Sequence, residues 1–376
     1  MEFPHNSSNP KKSIFISTGE ISGDFYAGEI IKHLQKRRNL EVFVLGGENA
    51  ARTGANLIYD TTTIATVGIW EIFSTFRQWK RVWDRSVDLI RTIRPAVVMI
   101  IDNPGFNLRL ARFCHRFDIP VISFIPPQVW VWNRRRATFL SHYADWILTI
   151  FPWEEHYFQG GKAKVKWVGH PVLSKIPDLS FFDTGEENHR IVLLPGSRKR
   201  EIDEFLKVIS RVLVIFREHH PQFTYTLVLA SEKYLDLVEN QLAGIPVIIE
   251  KRENLYQALQ GSSLSISCSG TITLEVALAG IPQIIVYRLS PFTYLLARLF
   301  LRKRYVGLPN IIMEQQVCPE LIQNDFHPAK IIKEMENLFV NSQKSKQMQQ
   351  VAWQIREKLF QGDAYSQIIE VIENYL

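Results

Sequence analysis

From Ser13 onward the chain alternates short apolar runs, glycine-bearing polar loops and stretches of helical spacing, and this rhythm is the tightest constraint on its fold. Residues 14–17 form an apolar run, Thr18-Gly19-Glu20-Ile21-Ser22-Gly23-Asp24 a polar loop, and residues 25–34 carry helical periodicity. Residues 42–45 return as strand and Gly46-Gly47 turns. Residues 97–101 close on Asp102-Asn103-Pro104-Gly105, followed by a helical pattern at 108–116 and a strand at 121–125. Apolar runs repeated in this order predict a parallel sheet covered by helices on both faces.

The rhythm breaks at residues 171–189, which are rich in Pro, Ser, Asp, Glu and Gly and lack periodicity, as a linker would. Strand patterns resume at 191–194, 226–229, 247–249, 264–267 and 283–286. The expected fold is therefore α/β: two doubly wound Rossmann-like domains facing a cleft, with helices at the C-terminus. The expected boundaries are a loose tail at 1–12, domains at 13–180 and 181–340, and C-terminal helices at 341–376 packed on the domains. A chain of 376 residues suits two such domains at about 150 residues each.

Composition narrows the class without naming a reaction. Hydrophobic residues at 46% and charged residues at 22% are globular values. Cys114, Cys268 and Cys318 are odd in number and far apart, which suits a reducing compartment and no zinc cluster. A net charge of +6 favours an anionic partner, yet the basic clusters lie beside aromatic residues with no nucleic-acid reading motif, so no nucleic acid is expected. No apolar run approaches the roughly 20 residues of a spanning helix, and the first dozen residues lack the apolar core of a signal peptide.

Ligands of open parallel sheets bind beyond the carboxyl ends of the strands, where Gly19, Asp102, Gly196 and Ser269 fall. Helix starts present unpaired N–H groups to phosphate oxygens. Gly196-Ser197-Arg198 and Ser269-Gly270-Thr271 thus read as a diphosphate grip. Arg198 supplies charge-assisted bonds of about 1.5–3 kcal/mol each, and Ser197, Ser269, Gly270 and Thr271 supply neutral donors, although plain helix capping uses the same groups. Glu275, one turn past Thr271, is placed to accept from a ribose, which makes this a nucleotide-sugar site. Asp102 is a candidate general base or a cap for the next helix; Glu20 is a second acid or a charged turn residue. Arg288 and Asn310 reach phosphate or sugar, or brace the fold. His170, between Gly169 and Pro171, reads as a hinge rather than a base. No His, Asp and Glu spacing suggests a metal. Residues 67–76 with Arg77, Lys80, Arg81 and Arg85, and residues 294–305 with Arg298, Arg302, Lys303 and Arg304, suit either a membrane-surface segment or a buried amphipathic helix.

Several motifs together resemble the lipid-A-disaccharide synthase family: Gly19-Glu20-Ile21-Ser22-Gly23-Asp24, Asp102-Asn103-Pro104-Gly105-Phe106-Asn107, Gln128-Val129-Trp130-Val131-Trp132, Phe151-Pro152-Trp153-Glu154, Gly169-His170-Pro171, Leu194-Pro195-Gly196-Ser197-Arg198, Ser269-Gly270-Thr271-Ile272-Thr273-Leu274-Glu275, Tyr287-Arg288-Leu289-Ser290-Pro291 and Leu308-Pro309-Asn310. They occur in the family's order across most of the chain. The resemblance implies a GT-B, inverting, metal-independent glycosyltransferase with no cofactor. It implies transfer of 2,3-diacylglucosamine from UDP to 2,3-diacylglucosamine 1-phosphate (lipid X), giving a β-1,6 disaccharide and UDP in lipid A biosynthesis. The N-terminal domain would face acceptor and membrane, and the C-terminal domain would bind the UDP-sugar. Asp102, Arg198 and Glu20 would be catalytic, with Gly19, Ser197, Ser269, Gly270, Thr271, Glu275, Arg288 and Asn310 binding substrate. The implied partners are UDP-diacylglucosamine, a lipid X-like acceptor, an anionic membrane surface and a second copy in a homodimer with exchanged C-terminal segments. The implied location is cytoplasmic, peripheral on the inner face of the cytoplasmic membrane. Two positions depart from the family pattern: Gly105 replaces a second acid, which leaves Asp102 as the remaining candidate base, and Pro127 replaces a serine. The alternatives are another GT-B enzyme, either a glycolipid glycosyltransferase or a UDP-sugar epimerase, and a non-catalytic paralogue that binds UDP-sugar or membrane.

Overall fold

The computed structural model describes residues 12–35, 40–64, 72–130, 134–182, 188–288, 305–340 and 343–376. The chain divides into two compact units, residues 1–174 with 361–376, and residues 175–360. Each is built on its own parallel sheet.

The first unit orders seven strands β3-β2-β1-β4-β5-β6-β7. They are β1 (Lys12–Ser17), β2 (Leu40–Gly46), β3 (Asn56–Asp60), β4 (Val97–Ile101), β5 (Val121–Phe124), β6 (Trp146–Thr149) and β7 (Lys164–Trp167). Every residue of β4 is buried, as a central strand covered on both faces requires. Between the strands run helices α1 (Ile21–Leu34), α2 (Ile72–Ile93) and α3 (Pro104–Arg116). The α2 helix turns Val82, Ser86 and Ile90 into the core, and Trp79 and Trp83 pack on Phe106 with ring centroids 5.2 and 5.7 Å away. From Trp79 onward its apolar side is therefore a core face. Arg77, Lys80, Arg81 and Arg85 remain exposed on the other side. Residues 67–71 and 294–304 of the two proposed membrane segments lie outside the described residues. Among the described residues, no helix is long and apolar enough to cross a membrane.

The second unit orders six strands β10-β9-β8-β11-β12-β13. These are β8 (Asn188–Leu194), β9 (Thr224–Leu229), β10 (Val247–Lys251), β11 (Ser262–Cys268), β12 (Gln283–Tyr287) and β13 (Glu320–Ile322). Helix α4 (Lys199–His219) follows β8, α5 (Thr271–Leu278) follows β11, and α6 (Leu308–Met313) precedes β13. Ile202, Phe205, Ile209, Val212 and Phe216 of α4 recur at helical spacing and are buried against the sheet.

The segment from residue 341 onward, which the sequence suggests is one block, divides between the units. Helix α7 (Gln343–Leu359) belongs to the second, where Arg356 donates to Pro177 O at 2.7 Å and Leu278 O at 3.0 Å. Helix α8 (Ala364–Glu373) belongs to the first. There Asp363 caps it by accepting from Ser366 N at 2.8 Å, and Tyr365 stacks on His33 of α1 at 5.4 Å.

Candidate active site

Both sheets reverse strand order once, between β1 and β4 and between β8 and β11. A doubly wound sheet opens a crevice at such a reversal, beyond the carboxyl ends of the two strands. The loops after these four strands carry most of the residues singled out from sequence.

In the second unit, Ser267 of β11 pairs with Leu194 of β8, so the Pro195-Gly196-Ser197-Arg198 turn and the Ser269-Gly270-Thr271 turn leave adjacent strand ends. Gly196 has φ +98°, which a side chain rarely adopts, and an added Cβ would lie 2.8 Å from Glu201 Oε2 and 3.4 Å from Cys268 Sγ. Arg198 is the N-cap of α4. Glu201 Oε2 accepts from the N–H groups of Ser197 and Arg198, each at 3.3 Å, and its Oε1 lies 3.3 Å from Arg198 Nη1. An internal carboxylate thus occupies part of the anion-receiving turn. Helix α5 begins at Thr271 without a side-chain cap bond at Gly270; Thr273 N donates to Gly270 O at 3.1 Å, and the N–H groups of Thr271 and Ile272 precede it at the helix start beside Ser269.

Arg288 follows β12, the next strand along, but its guanidinium is committed. It pairs with Glu204 at 3.3 Å, donates to Phe326 O at 2.7 Å and lies 5.2 Å from the Phe326 ring centroid. With Glu201, Cys268 and Tyr287 it bounds a cavity of about 10 Å³, room for roughly one water. Burial, and then the Glu201 carboxylate, push the Tyr287 phenol up to about 12.

Two residues expected to bind substrate are engaged elsewhere. The Glu275 carboxylate, assigned from sequence to a ribose, is buried in an ion pair with Arg252 Nη2 at 2.6 and 2.7 Å and accepts from Tyr256 Oη at 3.0 Å. Asn310 is fully buried, and its amide is spent on Cys318 O, Glu320 and the N–H groups of Val317 and Cys318 at 2.7–2.9 Å. Through these four internal bonds it braces the approach to β13.

In the first unit the β1 and β4 loops touch. A Cβ on Gly19 would lie 2.2 Å from Asn103 Nδ2, so only glycine fits under that side chain. Glu20 is the N-cap of α1 and is exposed. Asp102 and Asn103 both have left-handed backbone, φ +50° and +45°, and so does Ile125 at the end of β5, φ +53°. Asp and Asn tolerate this region; a β-branched isoleucine there is strained. The N-cap of α3 is Asn103, one residue past Asp102, and makes no side-chain cap bond.

Beyond β6 and β7 the same edge carries a buried pair of titratable groups. Burial pushes the Glu154 carboxyl up to about 7 against hydrogen bonds from Trp130 Nε1 at 3.0 Å and the N–H groups of Phe151 and Ile150 at 3.2 Å. Burial also pushes His170 down to about 3, keeping it neutral; its Nδ1 accepts from Val172 N at 3.3 Å.

The structure therefore gathers Ser197, Arg198, Ser269, Gly270, Thr271 and Arg288 along the ends of β8, β11 and β12, and Gly19, Glu20 and Asp102 along the ends of β1 and β4. Sequence reading missed Glu201, although an acid three residues past the cap at Arg198 is the capping-box spacing. It also missed Arg252, which lies 23 residues before its partner and leaves no local signal.

Comparison with known proteins bears directly on this arrangement. The family model for lipid-A-disaccharide synthetase matches residues 14–370. Lipid-A-disaccharide synthase of Syntrophus aciditrophicus is 32% identical over 361 residues, covering 93% of this chain and 94% of the relative. The synthase of Coxiella burnetii is 28% identical over 373 residues, covering 97% and 99%. Among solved structures, UDP-GlcNAc 2-epimerase of Neisseria meningitidis bound to UDP-GlcNAc has a TM-score of 0.65 at 14% identity, covering 96% of this chain and all of that one. MurG of Acinetobacter baumannii has a TM-score of 0.58 at 15% identity, covering 97% and 100%. These structural likenesses speak for the fold, which is the GT-B pair of Rossmann-like domains. With a family model spanning nearly its whole length, the chain belongs to the lipid-A-disaccharide synthase family of glycosyltransferases.

Proposed function

We propose that the protein transfers 2,3-diacylglucosamine from its UDP carrier to the 6-hydroxyl of 2,3-diacylglucosamine 1-phosphate, with inversion at the anomeric carbon. Asp102 takes the proton of the attacking hydroxyl, the new bond forms between that oxygen and C1, and the bond from C1 to the diphosphate oxygen breaks, its electron pair leaving with UDP. Arg198 and the N–H groups and hydroxyls at Ser197, Ser269, Gly270 and Thr271 hold the diphosphate as it gains charge, so their bonds strengthen toward the transition state. Glu20 lies on the adjacent loop as a second acid for the acceptor. Arg288 supports the donor turn from the next strand end.

The observation that carries this reading is the pairing of β8 with β11, which sets an arginine turn beside an uncapped helix start in one unit. The test is mass spectrometry of the products from an incubation with UDP-2,3-diacylglucosamine and 2,3-diacylglucosamine 1-phosphate. A tetraacylated disaccharide monophosphate with release of UDP is expected; an epimerised UDP-sugar without disaccharide would contradict it.

The same reading places the protein at the inner face of the cytoplasmic membrane, since both substrates carry acyl chains. The exposed Arg77, Lys80, Arg81 and Arg85 suit an anionic lipid surface. A homodimer that exchanges C-terminal segments is part of the proposal. In such an exchange the stacking of Tyr365 on His33 would be made between chains.

A further inference from the structure

Asp102 and Asn103 stand consecutively in left-handed backbone, a conformation that persists only where surrounding contacts enforce it. Backbone bonds hold the turn from Asp102 N to Phe124 O at 3.3 Å and from Asn107 N to Asn103 O at 3.0 Å, and one side chain adds a cluster of contacts to it. Asn107 Nδ2 donates to Asp102 O at 2.8 Å, Ile101 O at 3.1 Å and Ser17 O at 3.3 Å, and its Oδ1 accepts from Ser17 Oγ at 2.6 Å. Three carbonyls on one side of the amide and a hydroxyl on the other fix its orientation. Ser17 is 0% and Asn107 1% exposed, so no water replaces a lost bond without entering the core. Asn107 lies in the first turns of α3, yet its side chain serves none of that helix's own groups. It spans the point where β1 and β4 part, tying the last residue of β1 to the exit of β4.

We propose that Asn107 is a positioning residue for the transfer: it holds the Asp102 peptide in its left-handed turn and thereby aims the carboxylate at the acceptor hydroxyl. This rests on the reading of Asp102 as the base. Replacing Asn107 removes the two N–H donors that these three carbonyls share, two of them buried and that of Asp102 part-buried, and the turn relaxes toward ordinary backbone, swinging the carboxylate away. Displacement of a reacting group by about 1 Å costs roughly 100-fold in rate. The donor turn belongs to the other unit and keeps its affinity.

The test is a double-mutant cycle between Asn107→Ala and Asp102→Asn, read as kcat, acceptor KM and UDP affinity, with Tm recorded for every variant. Asn107→Ala is expected to lower kcat by about 100-fold while acceptor KM and UDP Kd each move less than about threefold. In the Asp102→Asn background the same change is expected to have almost no further effect, because there is no carboxylate left to aim. Ser17→Ala, which removes one bond and leaves the donors in place, is expected to cost about 3- to 10-fold on the same cycle and serves if Asn107→Ala fails to fold. Losses that multiply across the cycle, or a kcat that falls only with the folded fraction, would overturn the positioning role. Turnover that survives Asp102→Asn sinks the base reading instead; a loss from Asn107→Ala that persists beside it overturns both.

Discussion

Arg198 and Glu201 form an ion pair across the first turn of α4, Nη1 to Oε1 at 3.3 Å, while the second oxygen of the same carboxylate sits on the N–H groups of Ser197 and Arg198. All three contacts are long for charge-assisted bonds, so each is weak and exchangeable. The turn is held ready by an anion of its own, with which a donor diphosphate would compete under the proposed function.

Removing the charge of Glu201 while keeping its shape is therefore expected to tighten UDP binding. A glutamine retains the capping-box geometry. Relief of about 1 kcal/mol of competition gives Glu201→Gln a UDP Kd roughly 3- to 10-fold lower than wild type, measured by calorimetry. Weaker binding would mean that the carboxylate organises the turn rather than competing for it.

His170 and Glu154 give stability opposite slopes with pH. The pKa of His170 is depressed by burial to about 3, so its contribution is present above the unfolded value near 6.5 and is lost as pH falls through about 3. Glu154 is raised to about 7, so its contribution is complete below the unfolded value near 4.5 and is lost as pH rises through about 7. Between pH 7 and pH 4, wild type should lose on the order of 2–3 kcal/mol relative to His170→Gln, read from urea unfolding midpoints at each pH. A constant difference between the two proteins would show that His170 is not buried neutral.

The outward face of α2 should attract anionic lipid through its basic residues, since Trp79 and Trp83 are committed to Phe106. Replacing Arg77, Arg81 and Arg85 together by serine is expected to weaken partition onto phosphatidylglycerol-containing vesicles by about 100-fold, at about 1 kcal/mol per charge. High salt should release the wild-type protein likewise. Flotation gives the measurement, and equal binding by the triple variant would move the membrane contact elsewhere.

Much of this architecture is legible in the sequence because buried parallel strands write themselves as apolar runs. Residues 97–101 and 191–194 are of this kind, and both fall inside central strands. Strands β3 and β7 escape because they lie at the edge of the sheet, where Asn56, Asp60, Lys164 and Lys166 interrupt the pattern. The strand β13 escapes because it has three residues. Turns at strand ends were legible through Gly196, Ser197, Arg198, Ser269 and Thr271, whose chemistry is local. Glu275 and Asn310 were not, since their environment is set by partners distant in sequence or by burial: Arg252 for one, and the Val317 to Glu320 approach for the other. The role of Gly19 was legible as a loop glycine, but its reason, the Asn103 side chain 2.2 Å from where a Cβ would sit, is tertiary.

Under the proposed function, the arginine turn after β8 and the helix start after β11 hold the donor diphosphate in the transition state. Turnover of Arg198→Ala at saturating donor and acceptor tests it most directly. Loss of a transition-state charge partner predicts kcat lower by about 100-fold or more, with the protein still folded. A folded variant that turns over at the wild-type rate would contradict the account.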